Sequence, residues 1–265
     1  MKYLSKAIDF TIKNWMLIIP VFALMAIVNL IQSGAVTRLI SLITLANIDN
    51  FTSVEGLLSM IPVAFGAIVG GSILALVARF IYEPTTYGLA SKGLETGSAS
   101  LNEIGSALQG NFVKFVIYII GTLVLNLVVG LATFLVMLLM VLLVGLLKGL
   151  GIVLMVIAMI GLAIFYVVFY TLISLWFPAM VVDGLSVFDA LKKSIDIVKY
   201  CFWTVFGITL LVSIACSIVS YILSFLGGIP VLGTIILSAI PAIQYFVMAV
   251  FSLLVYREKT GRVTA

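Results

Sequence analysis

Between Tyr200 and Tyr256 the chain carries no charged residue, and between Lys114 and Pro178 it carries one, Lys148. Each run is more than twice the ~20 apolar residues that cross a hydrocarbon layer as a helix, so each has to cross, turn and return. Gly145, Gly149 and Gly151 around Lys148 mark the first turn, and Gly227-Gly228-Ile229-Pro230 the second, with Pro230 placed for a helix start. Upstream, Trp15 to about Gln32 reads as a further span, and Gly34 to Phe51 as polar enough to leave the membrane. A positive leader with small residues at Ser33 and Ala35 would also suit a cleaved signal, but a retained span is the better reading. The next span runs from about Ser53 to Phe80, with Arg79, Glu83 and Pro84 at its end and a Gly/Ser/Thr-rich linker from Tyr87 to Ser100. That makes six spans.

The remaining charge has a pattern. Lys and Arg number three before the first span, three from Arg79 to Lys114, three at Lys192, Lys193 and Lys199, and three in the tail; the alternate connectors hold Arg38 and Lys148. Twelve against two places both termini in the cytoplasm, as an even number of spans requires. With 9% charged residues, 64% hydrophobic residues and a mean hydropathy of +1.35, there is no room for a separate soluble domain, so residues 1–265 form one integral membrane domain. The net charge of +4 sits beside apolar runs, which speaks for lipid headgroups as partners and against nucleic acid.

Charge and apolar character interleave at helical spacing in Leu185–Trp203. Phe188, Leu191, Ile195 and Val198 share one face, opposite Asp189, Lys192, Lys193, Asp196 and Lys199, and Ser186 with Asp189 supplies a cap. Such a helix lies in the headgroup layer before the chain turns inward. The design recurs at Leu4–Trp15 and at Ser100–Phe115, where Ser100 with Glu103 spells a capping box. The fold expected is therefore an all-α membrane protein of six transmembrane helices. They form three parallel repeats of interfacial amphipathic helix plus helical hairpin, about 1–95, 96–184 and 185–265, with Pro84 and Pro178 as matching ends.

Histidine is absent, Cys201 and Cys216 have no metal spacing, and every acid reads as lying in a connector or at a helix end. Neither a metal site nor paired catalytic carboxylates follow, and no cofactor or enzymatic activity is expected. Thr52 with Glu55 reads as a helix cap in preference to a glycosylation acceptor at Asn50, and Gly66-x-x-x-Gly70 as a packing device. Inside the spans the polar residues are neutral: Asn29, Gln32, Asn126 and Gln244, with a stripe of Ser213, Ser217, Ser220 and Ser224. They serve as interhelical hydrogen bonds or line a mildly polar cavity, and Pro20 and Pro241 as kinks. Arg79 and Glu83, four apart, suit a local ion pair or a headgroup or gate contact, and Lys192, Lys193 and Lys199 suit headgroups.

Trp176–Leu211 resembles a return segment in a loose group of six-helix prokaryotic membrane proteins of uncharacterised function. That group includes the membrane domain attached to some glycerophosphodiester phosphodiesterases. The resemblance rests on Pro178, on Ala190-Leu191-Lys192-Lys193-Ser194 and on Phe202-Trp203. It implies a non-catalytic prokaryotic module, since no phosphodiesterase domain accompanies it. Two functions follow from the sequence: a protein of the cytoplasmic membrane whose interfacial helices organise lipid or dock a membrane-protein partner or second copy, or a small permease for a lipid or peptide.

Overall fold

The structure, a computed structural model, describes residues 2–45, 54–229 and 231–262, with residues 34–45 and 54–71 described by their backbone alone. Every element among the described residues is helical. In order these are α1 (Lys2–Lys13), a 3₁₀ turn (Trp15–Ile18), α2 (Ile19–Leu45), α3 (Val54–Thr96), a 3₁₀ turn (Leu101–Glu103) and α4 (Ile104–Leu147). Then come α5 (Gly149–Leu172), α6 (Trp176–Asp183), α7 (Val187–Ile222), a 3₁₀ turn (Leu223–Gly228) and α8 (Leu232–Lys259). Five stretches among the described residues are long and apolar enough to cross a membrane: Trp15–Ser33, Leu101–Leu147, Gly149–Asp183, Val187–Gly228 and Leu232–Lys259.

The core sits at one end of the bundle, called basal here, where the first and last described residues lie. α8 is its axis: from Phe246 to Arg257 every residue is buried except half-buried Met248. α1 lies across it on Leu4, Ala7 and Thr11, and Lys2 and Tyr3 reach Glu258 at 3.4 and 3.3 Å. α3, α6 and the first half of α7 close the other sides. By contrast, most of α4 beyond Phe115 and of α5 turns apolar side chains outward, with Leu127 68% and Leu146 78% exposed. A pair of helices that buries so little of its apolar surface in protein needs an apolar medium around it.

Several boundaries differ from those the sequence suggests, for identifiable reasons. α2 continues as helix to Leu45 instead of ending near Gln32. α3 does not stop at Pro84 but runs to Thr96, so the connector shrinks to residues 97–100. Thr85 Oγ1 donates to Ile81 O at 2.6 Å beside the proline, a side-chain bond of the kind that lets intramembrane helices pass one. The glycines that suggested a linker are close-approach points: a Cβ on Gly88 would stand 2.9 Å from Ala107 O of α4, and one on Gly93 would stand 2.7 Å from the Phe10 ring of α1. Pro178 does not close a helix either; it occupies the first turn of α6, where no backbone donor is needed. Pro20 likewise falls in the first turn of α2 and is no mid-span kink, whereas Pro241 is interior to α8.

The turns at Lys148 (φ 48°) and at Leu223–Gly228 stand where expected, as do the Ser100–Glu103 capping box and the Ser186 cap on Asp189 N. Pro230, Thr52 and the side chains of Glu55, Arg38 and the Gly66–Gly70 stretch lie outside the described residues.

Candidate functional site: a buried ion pair above a polar basal layer

Because α3 runs unbroken, Arg79 and Glu83 stand in the interior of a 43-residue helix rather than at its end. The expectation that every acid lies in a connector or at a helix end is therefore corrected at Glu83. Its side chain is 7% exposed and accepts from Arg79 Nε, the one hydrogen-bond partner it has among the described residues; the Arg79 side chain is 44% exposed. Tyr82, Tyr87, Tyr118 and Tyr245 lie within electrostatic reach of that carboxylate. Tyr82 and Tyr245 meet edge to face at 5.1 Å, and Tyr87 meets Ser252 Oγ at 3.4 Å. Among the described residues, Thr86 Oγ1 and Tyr245 Oη here and Arg257 Nε in the basal layer are buried without a hydrogen-bond partner. Buried orphans of this kind are few in native folds, and two of these three fall near the Glu83 carboxylate.

Next to the pair is a cavity of about 220 Å³ lined by α2 (Met25, Val28, Asn29, Gln32), α3 (Ala75, Ala78, Tyr82) and Pro241 of α8. Two alanines a turn apart leave the space. Asn29 Nδ2 donates to Ser238 Oγ of α8 at 2.9 Å, so one of the predicted polar residues both lines the cavity and ties two helices together.

The other predicted intramembrane residues do not converge on this place. Tyr170 donates to Asn126 Oδ1 at 2.7 Å, and Thr133 pairs with Tyr166 at 2.8 Å, so α4 and α5 are laced to each other. Gln244 Nε2 donates to Ser213 Oγ at 3.3 Å between α8 and α7. The rest of the serine stripe does not act as one: Ser217 and Ser224 are exposed and Ser220 is half-buried.

The basal layer carries features that spacing did not reveal. Arg257, counted from sequence as part of a polar tail, is buried at 2% exposure; its Nη2 binds Ser91 Oγ at 2.9 Å and pairs with Glu95. Its position at the end of a charge-free run was the available signal. Asp183 ties α6 to the end of α8, accepting from Tyr256 Oη and Arg262, each at 2.6 Å. Ser194, wholly buried, repairs the break between α5 and α6 by donating to Leu172 O (2.8 Å) and accepting from Leu175 N (3.1 Å).

α7 itself is divided at Cys201, whose backbone (φ −129°, ψ 25°) leaves the helical region. In the half before that kink the buried face is Ala190, Ser194, Ile197 and Val198. The four residues of the expected apolar face are therefore divided between protein and surroundings. Val198 packs inward and Leu191 is half-buried, but Phe188 is 77% exposed, and Ile195 is exposed too, because the face turned to protein is chosen by Ser194 and its two bonds. Lys192, Lys193 and Lys199 are exposed. Lys199 bonds Asp196 at 2.7 Å, and Lys92 bonds Glu103 at 2.8 Å.

Among the described residues no three His, Cys, Asp or Glu side chains stand close enough to hold a metal ion. Comparison with protein-family models, with curated proteins and with solved structures finds no match.

Proposed function

We propose that this chain is a non-enzymatic multi-pass protein of a prokaryotic cytoplasmic membrane. It crosses the bilayer six times, through three hairpins (α2–α3, α4–α5 and α7–α8), with both termini in the cytoplasm. Each hairpin is preceded by a short basal segment, which is the proposed threefold repeat. The basal helices contact and organise lipid or dock a membrane-bound partner. The likeness of Trp176–Leu211 to the membrane domain of certain phosphodiesterases agrees with a module that does no chemistry.

One observation carries the lipid reading. The half of α7 before Cys201 packs Ser194 and Val198 into the core, yet exposes Lys192, Lys193 and Lys199 beside Phe188 and Tyr200 (82%), and Trp203 (78%) is exposed just beyond the kink. Lysines interleaved with exposed aromatics suit the boundary between headgroups and acyl chains. The alternate end supports the orientation, since the α4–α5 turn carries a single cation, Lys148.

Thiol labelling tests this topology. With Cys201 and Cys216 replaced by alanine, Lys148→Cys is expected to react with an impermeant maleimide from outside the cell, and Gly261→Cys from inside. Labelling of both from one side overturns the six-span reading.

A second reading, a permease for a lipid or peptide, is favoured by the Arg79–Glu83 pair beside the Asn29–Gln32–Tyr82 cavity. Ionisable groups at this depth are costly to bury and mark substrate or ion paths in many membrane proteins.

A further inference from the structure

α1 presents three faces. Leu4, Ala7 and Thr11 face the core; Ile8, Ile12, Trp15 and Met16 are exposed along an apolar flank that continues into the 3₁₀ turn; Lys6, Asp9 and Lys13 lie opposite the core. Two cavities adjoin along this helix and share Lys13 and Asn14. The first, about 340 Å³, is lined by Lys6, Asp9, Phe10, Lys13 and Asn14 against Gly93, Leu94 and Gly97 at the end of α3. The second, about 390 Å³, runs from Lys13 along Trp15, Met16 and Leu17 to Leu101. One groove thus passes from a charged half to an apolar half, with Trp15 57% and Met16 53% exposed at the change.

The charge in that groove is uncommitted. Lys2, Lys92, Lys199, Arg257 and Arg262 each hold an ion pair at the basal end. Among the described residues Lys6 and Lys13 hold none, as is true of Lys192, Lys193 and Lys259, although Asp9 lies three and four residues away on the same helix. Lys13, in the last turn of α1, also offsets the negative end of the helix dipole. Lys6 has no such role, and it is the residue that distinguishes a ligand site from dipole compensation.

We infer that this groove holds one anionic phospholipid, its phosphodiester between Lys6 and Lys13 and an acyl chain laid along Trp15, Met16 and Leu101. The inference rests on the lipid-contacting reading above and names a site on α1 for it, separate from the α7 lysines. Two cations against one carboxylate match a singly charged phosphodiester, and a lysine near an anionic surface is worth ~1 kcal/mol, about fivefold in affinity. The apolar half requires that the anion come with a chain.

The test uses the full chain, delipidated in detergent, with native mass spectrometry of added short-chain phosphatidylglycerol or phosphatidylcholine. The expected result is preference for the anionic lipid, weakened about fivefold by Lys6→Gln alone and further by Lys6→Gln/Lys13→Gln. Asp9→Asn should move affinity the other way. Inorganic phosphate should not displace the lipid; full displacement would show a free-phosphate site and overturn the assignment. Equal binding of the two lipids, or unchanged binding in the double variant, overturns it as well. Lys192→Gln/Lys193→Gln separates the two claims. If that variant loses anionic-lipid contact while the α1 variants do not, the α1 site fails and the lipid-contacting reading stands. If neither set changes anything, both fail. All five side chains are exposed, so the variants keep the fold, as unchanged melting temperatures would verify.

Discussion

Arg257 and Glu95 meet across 162 residues of sequence, a guanidinium with 3% of its side chain exposed joined to a carboxylate with 54% exposed. The contact fastens the end of α8 to the last turn of α3, and Ser91 supplies two further acceptors. Removing Glu95 leaves a buried cation with reduced compensation, while removing Arg257 opens a hole in the core and frees a carboxylate that water can reach. Breaking a buried pair from one side costs more than replacing both members. Glu95→Gln is expected to cost about 1–3 kcal/mol and Arg257→Met a similar amount, with the double variant recovering part of the loss. Thermal melting of the four proteins in one detergent completes the cycle; strict additivity would mean the contact contributes nothing.

Ser194 is the second fastening. Without its hydroxyl, Leu172 O and Leu175 N lose their partner inside the protein, at a break where neither has an intrahelical substitute. Ser194→Ala should cost about 1–3 kcal/mol, the penalty for buried groups left unpaired. Ser106→Ala, which removes an exposed bond to Glu103 O, should stay within about 0.5 kcal/mol. Equal melting temperatures for the two variants would refute the bridging role.

The close approach of α3 and α4 predicts opposite signs for two glycines. A Cβ at Gly88 would lie 2.7 Å from Asn111 Nδ2 and 2.9 Å from a backbone oxygen, so the helices must separate and Gly88→Ala should destabilise by about 1–3 kcal/mol. Gly110 meets nothing within 4 Å in the interior of α4, where alanine should add up to about 1 kcal/mol through helix propensity. A stabilising Gly88→Ala would show that the helices are not in contact there.

Those glycines also show where sequence was legible and where it was not. Apolar run length revealed α4, α5, α7 and α8 and the turns between them, because lipid-scale hydrophobicity is a local property of the chain. Capping at Ser100 and Ser186 was equally local. The end of α3 was misplaced because Gly88, Gly93 and Pro84 have the same local preferences in a linker and in a tightly packed helix; Asn111, Ala107 and Phe10 decide between them, and they come from other elements. The same holds for α7. Spacing put Phe188, Leu191, Ile195 and Val198 on one apolar face, but not which of them meet protein; the two bonds of Ser194 to the α5–α6 break bury Val198 and leave Phe188 and Ile195 exposed. Of the polar residues, Asn29, Asn126, Gln244 and Ser213 were identified by type, but their partners were not.

The Arg79–Glu83 pair separates the two functional readings. Arg79→Met would leave the buried Glu83 carboxylate without its one hydrogen bond among the described residues, and the loss should reach about 3–5 kcal/mol. Glu83→Met would leave a half-exposed guanidinium that water can still serve, so its cost should be smaller. Replacing both by methionine removes the charges together, and such replacements are often neutral or stabilising. The double variant is therefore expected to fold without its buried ion pair. If the chain only contacts and organises lipid at its basal face, this variant should retain the thermal stability and anionic-lipid binding of the parent. If the pair serves a transported lipid or peptide, stability should persist while movement of a fluorescent lipid or labelled peptide across proteoliposomes is lost. Measuring both quantities on one preparation decides the matter, because loss of transport with intact melting has no explanation in packing, and intact lipid binding with no transport in either protein leaves the permease reading without support.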